Sequence, residues 1–592
     1  MLCQGPALDA IGEPRIRILG TGVDIVGRVN APTRRVAVPT GRMAVRAGVS
    51  AALTGHRAAL APQDATRFWL SRRGGNDLFL LYCFDDTGYP DRVVRDAVIA
   101  RSAGIADLRL RIREHRFAYP SWEPCEVEPS QVVVHDLDEP LWTNVENSLA
   151  RLLGTGVPAE RHAWRLHLFR EIRDAPAGSG PAAATPGTGD TPALVAVLQI
   201  SHALADGRRA AAIARELLTG LGEPATDRAG RTTPDTAVPT PGAQRVAGQS
   251  VLAEMRRGAA LFERRVHGRE SCAPRTSRLE RVAVEATALF SFPWRLGCTV
   301  RRGLAAARAE RELNRLTAAG EIPRPAPGFA PTRLNQAPAP EERAVRMLVG
   351  ADLRAPGHTV TVVALTAISL ALSRYLAARG DRRDQLGAQV SMALPVDRKT
   401  VRRNNYRDLG IDLGVAEPDL RLRADRIAAT LAERRRRATH PLQQARDRVN
   451  DVVPAPVLRR DVAGYPLDLV PETLSGHTVV SSVHRGPADL SMLGGQVRFT
   501  AGFPALGSVM HLTHGLHGLG NTVTLSVHSD PQVMPEVDEY VELLRTAVRE
   551  VVESLTSAGR EPRSSHYGSG GTDMDAHRAE GDEPERGVGT SG

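Results

Sequence analysis

The residue best suited to chemistry is His202, which follows an apolar segment and precedes Asp206 and Gly207 in the pattern His-x-x-x-Asp-Gly. An imidazole has an ordinary pKa that suits proton transfer near neutral pH. The β-branched and aliphatic residues 193–200 predict a buried strand, and residues 208–218 predict a helix that begins directly after Gly207. The pattern therefore predicts a catalytic base that is held rigidly at the end of a strand and faces a channel.

A purely structural interpretation of these residues stays open. His202 would then close the strand, Asp206 would be the N-cap of the helix, and Gly207 would ease the turn. In the catalytic interpretation Asp206 need not touch the imidazole, because an ion pair between Asp206 and an arginine would hold the loop and orient the ring. Arg398, which follows the predicted strand 388–396, is a candidate for that arginine.

The composition is that of a soluble protein large enough to bury two hydrophobic cores, with 592 residues of which 42% are hydrophobic. The formal charge of +9 invites a nucleic-acid or anionic-membrane partner. Lys399 is the only lysine, however, and an excess of arginine together with abundant alanine, glycine and proline is typical of a GC-rich genome. No zinc-finger, basic-zipper or RNA-binding pattern occurs, so nucleic acid is not a predicted partner.

The redox and targeting signals are those of a cytoplasmic protein. The cysteines are scattered and odd in number, which favours reduced thiols over a disulfide framework or a zinc site; they are Cys3, Cys83, Cys125, Cys272 and Cys298. The N-terminal region lacks the pattern of a signal peptide. No run of about 18 apolar residues is evident, so a membrane-spanning helix is not expected. Peripheral attachment to a membrane stays open.

The chain divides into five predicted regions. Residues 1–59 show weak periodicity and many Gly, Arg and Pro residues, so they are predicted to be a poorly ordered extension. Residues 60–222 and 343–556 each combine strand and helix patterns and are the predicted α+β lobes. Residues 223–342 form a predicted linker with arginine-rich helices, and residues 557–592 form a predicted disordered tail.

The strongest periodic segments give a coarse secondary structure. Strands are predicted at residues 78–84, 132–134, 164–169, 193–200, 388–396, 478–483, 497–503 and 522–527. Helices are predicted at residues 208–218, 249–266, 296–319, 360–378 and 420–438, and after Pro535. Between two of the strands, residues 174–192 are predicted to be a mobile loop because they are rich in Pro, Gly, Ala and Thr.

With these elements placed, the chain resembles the bacterial wax ester synthase/diacylglycerol acyltransferase family of the CoA-dependent acyltransferase superfamily. The resemblance rests on His-x-x-x-Asp-Gly at residues 202–207 and on weaker motifs that follow the family's order between Leu60 and Leu555. These motifs are Leu60-Ala61-Pro62-Gln63-Asp64-Ala65 followed by Phe68, Trp164-Arg165-Leu166-His167-Leu168, Pro331-Thr332-Arg333-Leu334-Asn335, Tyr375-Leu376, Leu394-Pro395-Val396 with Asn405, and Val479-Val480-Ser481 with Gly486-Pro487.

The resemblance implies an α+β fold of two chloramphenicol-acetyltransferase-like lobes, each a mixed sheet plus helices, with a channel between them. It implies an O-acyltransferase that moves a long-chain acyl group from acyl-CoA to a fatty alcohol or diacylglycerol, as in wax ester or triacylglycerol synthesis. His202 would be the general base, Asp206 would organise the loop, and Gly207 would permit close backbone packing. Transfer would be direct, in agreement with the lack of a Gly-x-Ser-x-Gly segment.

The resemblance also implies the substrates, the partners and the location of the protein. No cofactor is implied, since acyl-CoA is a co-substrate. The implied partners are acyl-CoA and a lipid alcohol or diacylglycerol. The implied location is cytoplasmic, and a peripheral position on the inner face of the plasma membrane or on lipid droplets stays open.

The chain departs from the family pattern at several positions. Ser201 stands where the family has the first of two histidines, and Thr361-Val362 stands where an Asn-Asp pair opens the long C-terminal helix. The segment 481–487, Ser-Ser-Val-His-Arg-Gly-Pro, replaces the usual Ser-Asn-Val-Pro-Gly-Pro. The predicted substrate-binding residues are Ser201, Thr361, Asn405, Ser481 and Ser482.

These departures leave two alternative functions open. One keeps the fold but changes the chemistry to carrier-protein-dependent or condensation-type acyl transfer, which competition between acyl-CoA and a loaded carrier protein would distinguish. The other is a catalytically impaired paralogue that binds lipid, and the changes at Thr361, Val362 and Ser482 are its best support.

A second histidine-rich segment consists of His511, His514 and His517. A metal site would favour His-x-x-x-His on a helix or nearby carboxylates. Glycines at three positions between residues 515 and 520 predict a loop instead. No metal site is therefore predicted, and a position near the substrate channel is favoured.

The predicted linker contains a candidate membrane anchor, in which aromatic residues lie close to arginines: Phe290, Phe292, Trp294, Arg295, Arg301 and Arg302. An aromatic side in lipid and a basic side against anionic headgroups would form an interfacial anchor. Packing of this segment on the protein's own surface is the slightly favoured interpretation.

Overall fold

The structure is a computed structural model, and it describes residues 58–178, 191–222, 278–395 and 402–557. Several predictions fall outside these residues: nearly all of the extension 1–59, the middle of the loop 174–192, the helix 249–266, Arg398, and the tail after residue 557.

The strands, in chain order, are β1 Leu78–Asp85, β2 Leu110–Arg113, β3 Ser121–Pro124, β4 Val132–His135, β5 Trp164–Ile172, β6 Ala193–Ile200, β7 Ala344–Val349, β8 Gly387–Ala393, β9 Tyr406–Asp412, β10 Thr478–His484, β11 Ser491–Met492, β12 Gly495–Gly502, β13 Leu512–Leu519 and β14 Thr522–Ser529. The helices are α1 Pro62–Leu70, α2 Asp91–Ser102, α3 Trp142–Leu152, α4 Gly207–Leu218, α5 Arg278–Ala318, α6 Val360–Ala378, α7 Leu420–Ala438, α8 Pro441–Asp447, α9 Ala455–Ala463 and α10 Val537–Ser557.

The first lobe is built on a six-stranded sheet in the order β11-β12-β1-β6-β5-β4. β6 pairs antiparallel with β1 and β5. It is buried along its whole length, as its almost entirely aliphatic sequence predicts. β11 and β12 belong to the C-terminal part of the chain but complete this sheet: β12 pairs with β1, and β11 pairs with β12. The first sheet therefore contains strands from before residue 222 and strands from after residue 343, so the predicted boundaries do not separate the two sheets.

The second lobe carries a mixed sheet in the order β7-β14-β13-β10-β8-β9. β10 pairs parallel with β13 and β8, while the other pairs are antiparallel. α6, α7 and α10 pack together and share one apolar core with this sheet. The predicted fold class, α+β with two lobes that each combine a mixed sheet with helices, is confirmed.

α6 is the one helix of the described ranges that is long and apolar enough to cross a membrane, and most of it is buried inside the second lobe. The sequence predicts this helix at residues 360–378, and Thr361, Thr366 and Ser369 interrupt its apolar run. Thr366 and Ser369 donate hydrogen bonds to backbone carbonyls one turn earlier, which satisfies their hydroxyls inside the core.

The two lobes meet where β12 of the first sheet contacts β13 and β14 of the second. Ser526 on β14 donates a hydrogen bond to the Gly502 carbonyl oxygen at 2.6 Å. A Cβ atom at Gly515 on β13 would overlap that same carbonyl oxygen, so glycine is required where the backbones approach.

Two sequence expectations in the second half of the chain were wrong. The segment that carries His511, His514 and His517 is mostly strand β13 and not a loop, because Gly515 allows close backbone packing at the lobe seam. The predicted helix 296–319 begins eighteen residues earlier as α5, since Pro293 lies inside it and does not end it. Prolines usually break helices, which is why the earlier turns were not predicted.

Candidate active site

His202 lies in the turn between β6 and α4, beside a cavity of about 120 Å³. Elements of both lobes line this cavity, and their contributions include Asn76, Asp77, Phe79, Gly207, Ser391, Tyr406, Ser481, Ser482, Arg485, Phe503 and His517. The structure therefore places the imidazole at the seam of the two lobes, next to space that a small reacting group can enter.

The environment of His202 keeps its imidazole neutral. Burial, and secondarily the positive charge of Arg67, lower the pKa of His202 to about 3. Nε2 lies 3.3 Å from the hydroxyl oxygen of Tyr406, and the two rings stack with centroids 5.8 Å apart. Nδ1 is buried and has no hydrogen-bond partner among the residues that the structure describes. The ring is therefore in the form that accepts a proton at pH 7, and a pKa this far below neutrality makes it a weaker base than the ordinary imidazole expected from the sequence.

Asp206 holds the turn that follows His202. Its Oδ1 accepts a hydrogen bond from the backbone N–H of Arg209 at 2.9 Å, so Asp206 is the N-cap of α4. Its Oδ2 accepts from the backbone N–H of Asn405 at 3.1 Å, which ties the turn to the second lobe. The arginine candidate Arg398 lies outside the described residues, so its pairing with Asp206 stays a prediction.

A second carboxylate fixes the backbone of His202 through Asn404. The side chain of Asn404 donates to the His202 carbonyl oxygen at 2.7 Å and to Asp64 Oδ1 at 2.9 Å. Asp64 also accepts from the backbone N–H groups of Asn404 and Arg403. Burial raises the pKa of Asp64 above its ordinary value, although these hydrogen bonds favour the carboxylate. Asp64 is thus a positioning residue for the imidazole.

Ser201 and Gly207 flank the motif and differ in their surroundings. The Ser201 backbone bonds within the first lobe, and the residue is buried but is not among those that line the cavity. Gly207 does line it. A Cβ at Gly207 would meet Val483 Cγ2 at 3.5 Å, which is an ordinary contact, so the expected close backbone packing does not require glycine here.

The other predicted substrate-binding residues separate into two groups. Ser481 and Ser482 on β10 line the cavity, and the Ser482 hydroxyl is hydrogen-bonded to that of Thr361 at 2.9 Å. Asn405 instead donates from its side chain to the carbonyl oxygens of Leu394 and Pro395. Asn405 therefore braces the connection between β8 and β9, while its backbone holds Asp206.

The three histidines near β13 have different surroundings, because successive residues of a strand face opposite sides of the sheet. His511 Nδ1 lies 2.6 Å from Asp530 Oδ2. His514 Nε2 lies 2.8 Å from the Tyr540 hydroxyl inside the second core. Only His517 reaches the cavity. Across the described ranges no group of three or more His, Cys, Asp or Glu side chains could hold a metal ion.

Sequence reasoning missed Tyr406, Asn404 and Arg485 as site residues. Asn404 and Tyr406 flank Asn405, so the predicted strand connection did point to this region. Their contact with His202 joins residues about 200 positions apart, which no local pattern reveals. Arg485 was noted only as part of a changed motif, and its burial in the cavity wall depends on the packing of both lobes.

No protein-family model matches the sequence, and no curated protein matches it. Among solved structures, the wax ester synthase/diacylglycerol acyltransferase from Marinobacter aquaeolei VT8 aligns with a TM-score of 0.50 at 16% identity, over 84% of this chain and 99% of that chain. The first condensation domain of the calcium-dependent antibiotic synthetase aligns with a TM-score of 0.47 at 15% identity, over 85% of this chain and 97% of its own. A variant starter condensation domain of rhizomide synthetase, in complex with C8-CoA, gives 0.45 at 13%, with coverages of 85% and 97%. The resemblance stated from the motifs is thus confirmed at the level of the fold: this chain has the two-lobed fold of the wax ester synthase/diacylglycerol acyltransferase.

Proposed function

We propose that the protein is an acyl-CoA-dependent O-acyltransferase that transfers a long-chain acyl group to a lipid alcohol, in the manner of a wax ester synthase/diacylglycerol acyltransferase. The observation that carries the proposal is a neutral, buried His202 beside a cavity that both lobes line. The fold shared with the Marinobacter enzyme supports it further. Fatty alcohols and diacylglycerols are the acceptors that the motifs favour.

In the proposed reaction His202 acts first as base and then as acid. Its neutral imidazole accepts the hydroxyl proton of the acceptor while the acceptor oxygen attacks the thioester carbonyl carbon. The new C–O bond forms and the C–S bond breaks, and the protonated ring returns the proton to the departing CoA thiolate. Proton balance is therefore restored in each turnover without a covalent enzyme intermediate.

The cavity is suited to the reacting groups and not to whole substrates. A volume of about 120 Å³ is smaller than the few hundred Å³ typical of pockets that enclose a drug-sized ligand. Acyl and pantetheine chains would therefore extend from the cavity along the lobe seam. An acceptor hydroxyl that enters would compete with the Tyr406 hydroxyl for Nε2 of His202.

The test of this function is turnover by the purified full chain. Palmitoyl-CoA is offered with hexadecanol or dispersed diacylglycerol, and free CoA and ester are measured together. We expect ester and CoA in equal amounts. Turnover only with an acylated carrier protein would instead favour condensation-type transfer. Lipid binding without turnover across a broad acceptor panel would favour the impaired paralogue, and either outcome overturns the proposal.

We further propose that α5 contacts a membrane or lipid droplet from the cytoplasmic side. Packing of the aromatic segment on the protein's own surface was the favoured expectation, but Phe290 is 85% exposed and Trp294 is 73% exposed. Arg295 and Arg301 are exposed beside them. An apolar surface next to cations is the arrangement that lets a helix rest at an anionic lipid surface.

The double variant Phe290→Ser, Trp294→Ser is expected to bind anionic phosphatidylglycerol vesicles at least about tenfold more weakly, because each aromatic side chain contributes about 1.5–3 kcal/mol when buried. Flotation with the vesicles measures the bound fraction. Leu469→Ser removes a comparably exposed residue outside α5, and it should leave binding unchanged. Equal flotation of the double variant and the unmodified chain would contradict membrane contact through α5.

A further inference from the structure

Arg485 is a buried cation with no anion beside it. The residue is 4% exposed, and within the described ranges it forms no ion pair with a carboxylate. Burying a guanidinium without a partner is strongly unfavourable. Arg170 and Arg403, which are also largely buried, are paired with Asp86 and Asp107. The burial of Arg485 therefore needs a different explanation.

Protein oxygens satisfy only one of the three side-chain nitrogens of Arg485. Nη1 donates to the Ala501 carbonyl oxygen at 2.9 Å, to the Leu81 carbonyl oxygen and to Thr500 Oγ1. Nε has no hydrogen-bond partner among the described residues, and none of their oxygens accepts from Nη2 at hydrogen-bond distance. The guanidinium also lies over the Tyr82 ring, with its carbon 5.2 Å from the ring centroid, and the interaction with Tyr82 opposes the lowering of the Arg485 pKa by burial. Arg423 is equally buried, but all three of its nitrogens donate to protein oxygens. Arg423 is thus fully satisfied, whereas Arg485 is not.

The unsatisfied edge of Arg485 is the one that this chain uses to bind carboxylates. Asp86 accepts hydrogen bonds from Nε and Nη2 of Arg170, and Asp538 accepts from Nε and Nη2 of Arg346. The planar guanidinium matches the two oxygens of a carboxylate along this edge. Arg485 carries the same two donors without a carboxylate, and its Nε is buried in the wall of the cavity.

Arg485 lines the same cavity as His202. A Cβ at Gly502 would lie 2.5 Å from Arg485 Nη2, so glycine leaves the room that this nitrogen occupies. The carboxylates of Asp77 and Asp206 also line the cavity, but both hold other partners. Asp77 accepts from Gln199 and from a backbone N–H, and Asp206 accepts from two backbone N–H groups. Neither of them neutralises Arg485.

We propose that Arg485 binds a carboxylate on the acyl acceptor, which makes the acceptor a hydroxy acid. This inference rests on the proposed acyl transfer and changes the preferred acceptor from a neutral lipid alcohol to a hydroxy acid. One guanidinium balances one negative charge, which favours a carboxylate over a dianionic phosphate. The cavity is small, so the hydroxyl at His202 and the carboxylate at Arg485 are separated by a few bonds, as in a 2- or 3-hydroxy acid. The thioester end of the donor is uncharged and supplies no anion there.

The carboxylate of the acceptor stays bound to Arg485 and does not react during the transfer. The acceptor hydroxyl gives its proton to His202 as its oxygen bonds to the acyl carbon and the thioester C–S bond breaks. The proton passes to the CoA thiolate, and the product is an acyloxy acid whose carboxylate still faces Arg485. No oxidant, reductant or further reactant is needed.

The test compares 3-hydroxydecanoic acid with its methyl ester as acceptors for palmitoyl-CoA. With the unmodified chain we expect kcat/KM for the acid to exceed that for the ester at least about tenfold, the effect of a charge-assisted hydrogen-bonded pair. Arg485→Met is expected to abolish this preference, and Arg485→Lys to retain part of it. Arg346→Met, which removes an arginine paired with exposed Asp538, should keep the full preference.

The outcomes separate this inference from the proposed function. Equal use of acid and ester by the unmodified chain overturns the inference while acyl transfer stands, and this comparison needs no variant that folds. A preference for a dicarboxylic acyl-CoA donor, with no preference among acceptors, assigns the anion to the donor and also overturns it. Calorimetry without acyl-CoA should detect binding of the acid that Arg485→Met weakens at least about tenfold. Such binding without any turnover supports the carboxylate site and overturns acyl transfer.

Discussion

Replacing His202 with alanine is expected to lower the rate of CoA release by about 10²–10⁴-fold, the usual contribution of a positioned general base. The reason is specific to this site, because His202 is the histidine whose ring contacts Tyr406 at the cavity wall. KM for acyl-CoA should change little, since the imidazole acts on the reacting hydroxyl and does not bind the CoA chain. Turnover with hexadecanol and palmitoyl-CoA measures both quantities.

A matched histidine variant separates loss of the base from loss of the fold. His358 contacts the exposed Asp425 and does not line the cavity, so His358→Ala should retain turnover. Both variants should unfold at nearly the temperature of the unmodified chain. Turnover by His202→Ala at the unmodified rate would exclude His202 as the base.

Asp64→Ala is expected to lower the free energy of unfolding by about 3 kcal/mol and kcat by about 10–100-fold. The buried carboxylate accepts hydrogen bonds from two backbone N–H groups and from the Asn404 side chain, and all three donors would lose their partner. Asn404 would then hold the His202 carbonyl oxygen less firmly, and the imidazole would lose its orientation. Chemical denaturation and initial rates of CoA release measure the two effects.

The effect on kcat should exceed what lower stability alone causes. Asp64→Asn retains an acceptor oxygen and should recover much of kcat, which a merely destabilised protein would not show. Asp538→Ala removes an exposed carboxylate paired with Arg346, and it should change stability by less than about 1 kcal/mol. Unchanged kcat in folded Asp64→Ala would remove Asp64 from the positioning network.

The local patterns of the sequence predict most of the fold. The aliphatic run 193–200 and the helices 360–378 and 420–438 coincide with β6, α6 and α7 because burial and helical periodicity act over short stretches of chain. The pairing of β12 with β1 could not be predicted, since it joins residues more than 400 positions apart.

In the candidate site too, local motifs could be predicted from the sequence, whereas contacts between distant residues could not. His202, Asp206 and Gly207 form a short motif that local sequence reveals, and the N-cap role of Asp206 follows from its place before a helix. Asn405 was expected to bind substrate, but its side chain bonds to the β8–β9 connection because the fold brings that connection beside Asp206. The unsatisfied edge of Arg485 depends on contacts from both sheets and is evident only in three dimensions.

In the proposed reaction a buried, neutral imidazole takes the proton of the acceptor. Burial lowers the pKa of His202 to about 3, so the ring stays in its basic form as the pH falls from 8 to 5 and is protonated only near pH 3. Unfolded chains protonate histidine near pH 6.5, so acid also favours unfolding, and circular dichroism must show a folded protein at each pH.

The most direct measurement is kcat/KM for acyl transfer between pH 5 and 8 with the folded, unmodified chain. We expect a rate that does not fall as the pH is lowered through 6.5, measured also with Asp77→Asn because burial raises the pKa of this cavity carboxyl to about 7. A loss of rate near pH 6.5 that persists in Asp77→Asn would contradict the buried base at the seam of the two lobes.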